Sequence, residues 1–136
     1  GPIEAELWIA SDAPDTDFTA KLVDVHPASA DYPRGYAMIL TDGIVRLRYA
    51  DDPARPALNV PGTVRRITVT LFPTANRFLA GHRIRLDISS SNFPKFDVNS
   101  NTGEPEGAAR RRQVAVNTVF TDARRPSHVV LPLLPG

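Results

Sequence analysis

Apolar residues in this chain recur at every second position and hardly anywhere at every third or fourth. Ile3, Ala5, Leu7 and Ile9 fall on one side of an extended segment, with Glu4, Glu6 and Trp8 on the other. Phe18, Ala20 and Leu22 alternate with Thr19, Lys21 and Val23. Ile67, Val69 and Leu71 alternate with Arg66, Thr68 and Thr70, and the first set is expected to face the core. A period of two is the pattern of a half-buried strand and does not suit an amphipathic helix. Residues 36–41, 44–49, 84–91, 113–121 and 128–134 read as further strands, and residues 108–112 leave room for one helical turn at most. Asp42-Gly43 lies between two β-rich runs and predicts a type I′ hairpin turn, whose two central residues need positive φ. Pro53, Pro56 and Pro61 remove ladder donors and mark an irregular connection. Seven or eight short strands with turn signals between them predict an all-β fold, a β-sandwich or jelly roll, in one domain over residues 1–136.

Composition narrows the chemistry. The 136 residues contain no cysteine, which excludes a disulfide framework, a thiol nucleophile and a Cys-based metal centre. A net charge of +1 does not suit a nucleic-acid-binding domain, and Arg110-Arg111-Arg112, the one basic run, has no aromatic residues interleaved. No run of apolar residues is long enough to span a membrane as a helix. The first residues lack the basic and apolar regions of a signal peptide, so a cytoplasmic location is expected.

Catalytic motifs are missing as well. No serine stands in a Gly-x-Ser-x-Gly elbow, and His26, His82 and His128 are far apart in sequence. His82 is expected to pin the turn before the strand that begins at Ile84. Asp12, Asp15 and Asp17 cluster as calcium ligands can, but their spacing is not that of an EF-hand and Asp is a preferred turn residue. A turn is the expected role, and neither a metal nor a cofactor is expected. The segment from Ser91 to Gly103 is too particular for a generic turn, and Phe93 and Phe96 are expected to plug one end of the sandwich. Jelly rolls also host carbohydrate- and ligand-binding modules, so such a module is a second reading. The single Trp, Trp8, stands between Leu7 and Ile9 and is expected to be at least half buried.

Several stretches occur together in one order: residues 15–25, residues 42–46, residues 81–86 running into Ser89-Ser90-Ser91-Asn92-Phe93-Pro94, residues 99–103, and the closing residues 127–132. In this the chain resembles, over nearly its whole length, the C-terminal β domain of the family of X-prolyl dipeptidyl-peptidases and cocaine-esterase-like hydrolases. The resemblance implies a galactose-binding-like jelly roll that carries no catalytic residue. It implies a partner, the α/β-hydrolase catalytic domain of the same parent protein, which cleaves esters, amides or X-Pro peptides through a Ser-His-Asp triad. The family's domain begins with strands upstream of the residue matching Gly1. The chain is therefore expected to lack those first strands, and to dimerise or exchange strands when isolated. The positions matching family motifs are Asp15, Asp17, Asp24, Arg46, His82, Arg83, Asn92, Phe93, Pro94, Phe96 and Asn99, expected to hold loops or to meet the catalytic domain.

Overall fold

A computed structural model describes residues 2–134. Among the described residues seven strands follow one another: β1 (Ile3–Ser11), β2 (Asp17–His26), β3 (Tyr36–Arg46), β4 (Arg65–Leu71), β5 (Arg83–Ser89), β6 (Asn117–Phe120) and β7 (His128–Val130). A 3₁₀ turn, Leu47–Tyr49, follows β3. No helix among the described residues is long and apolar enough to cross a membrane.

The strands form two antiparallel sheets that make a β-sandwich. In the first, β1 is central: β4 pairs along one edge, while β6 and β7 share the other, β6 opposite Trp8 to Ser11 and β7 opposite Glu4 to Glu6. In the second, β2 lies between β3 and β5. Between the sheets lie Ile3, Ala5, Leu7 and Ile9 of β1, Phe18, Ala20 and Leu22 of β2, and Ile67, Val69 and Leu71 of β4. The alternation read from the sequence is thus the alternation of burial. Each large side chain in these rows contributes about 1.5–3 kcal/mol, against about 0.5–1.5 kcal/mol net for one hydrogen bond. The rows therefore set which face of each sheet turns inward, and the polar contacts below act on a frame already specified.

Asp42-Gly43 corrects a sequence expectation. The pair is not a hairpin turn, because β3 runs straight through it to Arg46. A Cβ on Gly43 would lie 2.2 Å from the Thr70 carbonyl oxygen, so glycine is required where the β4 backbone presses on β3. Phe72 N–H donates to the Asp42 carbonyl at 3.1 Å across the same contact. Residues 44–46 extend β3, and residues 47–49 form the 3₁₀ turn in place of a strand.

The last two strands are shorter than the alternation implies. β6 stops at Asn117 because its partner there is Ser11, the final residue of β1. Val114 and Val116, which continue the apolar period, stand 88% and 63% exposed beyond the end of the ladder. Leu133 and Leu134 are likewise exposed past β7. Residues 108–112 form no helical turn.

Candidate functional site

Polar side chains gather in three clusters, and each joins a strand of the second sheet to a loop. The first begins with register. Asp17 pairs with Arg46 in the β2–β3 ladder, and the same antiparallel sum of residue numbers sets Asp15 opposite Arg48. Leu47 N–H donates to the Thr16 carbonyl at 2.9 Å, which carries the pairing past the strand ends. Arg46 Nε and Nη2 donate to the two Asp17 carboxylate oxygens at 2.8 and 3.0 Å. Arg48 Nε donates to Asp15 Oδ2 at 2.7 Å and its backbone N–H to Oδ1 at 3.1 Å. Paired, fork-shaped donation of this kind is what a guanidinium does best.

Asn99 joins the two pairs. Its Nδ2 donates to Asp17 Oδ1 at 2.7 Å and to Asp15 Oδ2 at 3.1 Å. The outer guanidinium nitrogens hold the loop that follows: Arg46 Nη1 donates to Glu106 Oε1 at 2.7 Å, and Arg48 Nη2 to the Glu104 carbonyl at 2.9 Å. The Arg46 hydrogen bond holds the Glu106 carboxyl below the usual carboxylate range, burial opposing it. Asp15 and Asp17 are fully buried, so every oxygen of theirs needs a donor. Nitrogen donors fill that need, and two guanidinium charges already neutralise the pair, which leaves a hard cation no part here. Asp12 lies apart, accepting the Val116 N–H at 2.8 Å. The carboxylate cluster is thus an ion-pair lattice in place of a simple turn.

Over Arg46 and Arg48 opens a cleft of about 390 Å³, walled by Val98, Asn99, Glu104, Glu106, Arg111 and Arg112, with Phe93 also lining it. Phe93 is 69% exposed. It therefore plugs nothing, contrary to the sequence expectation, and Phe96 is only partly buried.

The second cluster holds the start of the same loop. Asp42 accepts Lys95 Nζ at 2.5 Å and Asn92 Nδ2 at 2.8 Å. Lys95 Nζ also lies 5.0 Å from the centre of the Phe72 ring and 5.6 Å from that of Phe96, within cation–π reach. The peptide between Phe93 and Pro94 is cis.

The third cluster sits at the far end of the second sheet. Asp24 is buried and accepts from the His82 ring through Nδ1 at 2.8 Å and from Asn76 Nδ2 at 3.3 Å. Burial pushes its carboxyl up, but the hydrogen bonds from His82 and Asn76 and the nearby imidazoles outweigh that and leave it below the ordinary aspartate value. His82 thus ties the turn before β5 to β2. His26 Nε2 lies 3.6 Å from Asp24 Oδ2. Arg83 is exposed and makes no ion pair among the described residues.

Among the described residues, no serine hydroxyl reaches a histidine ring: His82 meets Asp24, and His128 meets the Pro126 carbonyl. The motif positions Asp15, Asp17, Arg46 and Asn99 come together, Asp24 meets His82, and Asn92 joins Asp42. Sequence reasoning missed Arg48, Asp42, Lys95, His26, Asn76, Glu104 and Glu106. The spacing Asp-x-Asp against Arg-x-Arg carried a signal for Arg48, and Asp-x-His one for His26.

The fold and the clusters define a β-sandwich lobe whose buried polar groups fasten loops. A family model for the X-Pro dipeptidyl-peptidase C-terminal non-catalytic domain matches residues 1–130, and the chain belongs to this family. Cocaine esterase from Rhodococcus sp. (strain MB1 Bresler) is 45% identical over 98% of this chain, which corresponds to 23% of that protein. The structure of an aminopeptidase from the marine sediment archaeon Thaumarchaeota archaeon superposes with a TM-score of 0.86 at 30% identity, over 96% of this chain and 23% of that one. An alpha-amino acid ester hydrolase superposes with a TM-score of 0.86 at 29% identity, over 95% of this chain and 22% of that one. The chain therefore spans under a quarter of the length of these relatives.

Proposed function

We propose that this domain is the accessory lobe of a serine hydrolase whose nucleophile resides in an α/β-hydrolase domain of the same polypeptide. The lobe packs on that domain and helps to shape its active-site region. The observation that carries this reading is where the buried polar groups go. Asp15, Asp17, Arg46, Arg48 and Asn99 all serve to fix one long loop and the cleft above it. A loop held this firmly with an exposed Phe93 presents a shaped surface, as a docking element needs. Cocaine esterase and an alpha-amino acid ester hydrolase, by their names, act on esters, so an ester or a related acyl bond is the substrate class of the whole protein.

The isolated lobe is further proposed to self-associate. β5 is an edge strand exposed through Arg83, Ile84 and Arg85, and β3 is exposed from Tyr36 to Ile39. Open edges and apolar side chains of this kind favour pairing with another chain.

The test of the main proposal is the coding sequence upstream of the Gly1 codon. An open frame encoding a Gly-x-Ser-x-Gly elbow is expected. A start codon immediately before Gly1, with no such motif in the protein, would overturn the proposal.

A further inference from the structure

The loop-fastening role does not account for His26. We propose that Asp24, His26 and His82 form a binding site for a first-row divalent transition metal, with zinc favoured by the donor chemistry. Residues two apart on a strand share a face, so Asp24 and His26 continue the inward row of Phe18, Ala20 and Leu22. The β2–β5 ladder pairs Asp24 with Ile84 and Val25 with Arg83. One step further along the same register, His26 faces His82. The fold thus brings two imidazoles and a carboxylate to one spot from the end of β2 and the turn that leads into β5.

The distances suit a small cation. One ligand atom from each of the three residues lies within 4.8 Å of the other two. His82 Nδ1 lies 2.8 Å from Asp24 Oδ1 and His26 Nε2 lies 3.6 Å from Asp24 Oδ2, so each imidazole faces its own carboxylate oxygen at a separation near the edge of about 3.4 Å that metal–ligand bonds of about 2.1 Å give in a tetrahedron, and a small turn of the carboxylate presents one oxygen to both. Two nitrogens and one oxygen are a borderline donor set that suits zinc, and three protein ligands leave a fourth position for water.

Two observations separate this site from an ordinary Asp–His pair. The pair needs only Asp24 and His82, yet His26 Nε2 is buried beside it with no hydrogen-bond partner among the described residues. Such an atom calls for a specific partner, and a cation supplies it. The surroundings also hold the ligands in place. The His26 ring stacks on Tyr36 at 4.1 Å with 17° between planes, and Asn76 donates to the Asp24 carboxylate. Gly35 has φ of +66°, and a Cβ there would lie 2.4 Å from the His26 carbonyl oxygen, so the loop closes tightly over this end of β2. On binding, the proton on His82 Nδ1 passes to solvent and the metal takes its place. The bound ion clips the end of β2 to the turn before β5.

Cobalt(II) titrated into the full chain is the probe, because four-coordinate cobalt gives intense visible bands. Saturable bands at one equivalent that zinc then bleaches are expected. His26→Gln leaves the Asp24–His82 hydrogen bond in place and should abolish the bands, while His128→Gln, on the exposed β7, should leave them unchanged. Asn76→Ala should weaken binding by about 10- to 100-fold. Failure of the wild-type chain to give the bands would overturn the proposal. So would bands that survive His26→Gln or vanish with His128→Gln.

Discussion

Gly43 shows at the scale of one residue how a long-range contact defeats a local signal. Asp-Gly reads as a hairpin because its turn chemistry is contained in two adjacent residues. The constraint that governs it is the Thr70 carbonyl, which arrives from β4 and leaves no room for a side chain. Gly43→Ala should therefore destabilise the protein by about 1–3 kcal/mol, the cost of forcing a methyl into a filled contact. Urea unfolding would measure it, and an unchanged midpoint would mean that β4 does not press on this position.

Glu106 supplies a pH dependence. Its folded pKa lies below the ordinary glutamate value because Arg46 donates to it. A carboxylate of lowered pKa adds stability that is fully present above the unfolded value and is lost as pH falls through the folded one. Glu106→Gln should thus melt lower than wild type near pH 7, and the gap should close as the pH falls below the ordinary glutamate value of about 4.3. A gap that stays constant with pH would show that the Arg46 contact contributes nothing through charge.

At the scale of elements, the legible parts were those where a strand's own pattern decides its burial. β1, β2 and β4 announce themselves because their inward faces are apolar at every second position. β6 and β7 were over-read because their length is set by where β1 ends, which Val114, Val116, Leu133 and Leu134 do not encode. The lattice beneath the loop was half legible. Asp15, Asp17, Arg46 and Asn99 stood out as motif positions, but only the β2–β3 register brings Arg48 opposite Asp15. The misread turn at Asp42-Gly43 had assigned residues 44–49 to a different pairing and so hid that register.

Asn99 is the keystone between this lattice and the loop. Asn99→Ala would leave two buried carboxylates short of a donor, at a cost of about 1–3 kcal/mol. The loop should open correspondingly more often, so trypsin should cut at Arg110 to Arg112 roughly five- to 150-fold faster. An unchanged cleavage rate would show that Glu104, Glu106 and the arginines hold the loop without it.

The whole molecule combines a closed core with surfaces left open. Ile39, Ile84, Phe72 and Phe93 are each more than half exposed, and among the described residues no strand pairs with the outer edge of β5 or with that of β3 over Tyr36 to Ile39. Light scattering at tens of micromolar should therefore find the isolated chain as dimers or larger species, and a monodisperse monomer would contradict the proposed self-association.

The family and the fold were legible because ordered motifs run along nearly the full chain. The metal-ligand geometry at Asp24, His26 and His82 was not, because three distant histidines in a sequence define no distance until β2 and β5 are paired. What the molecule does turns on whether these 136 residues carry any acyl-transfer chemistry themselves. The direct measurement is hydrolysis of p-nitrophenyl acetate by the purified chain. We predict a rate equal to buffer alone, and saturable turnover that persists through repurification would contradict the account.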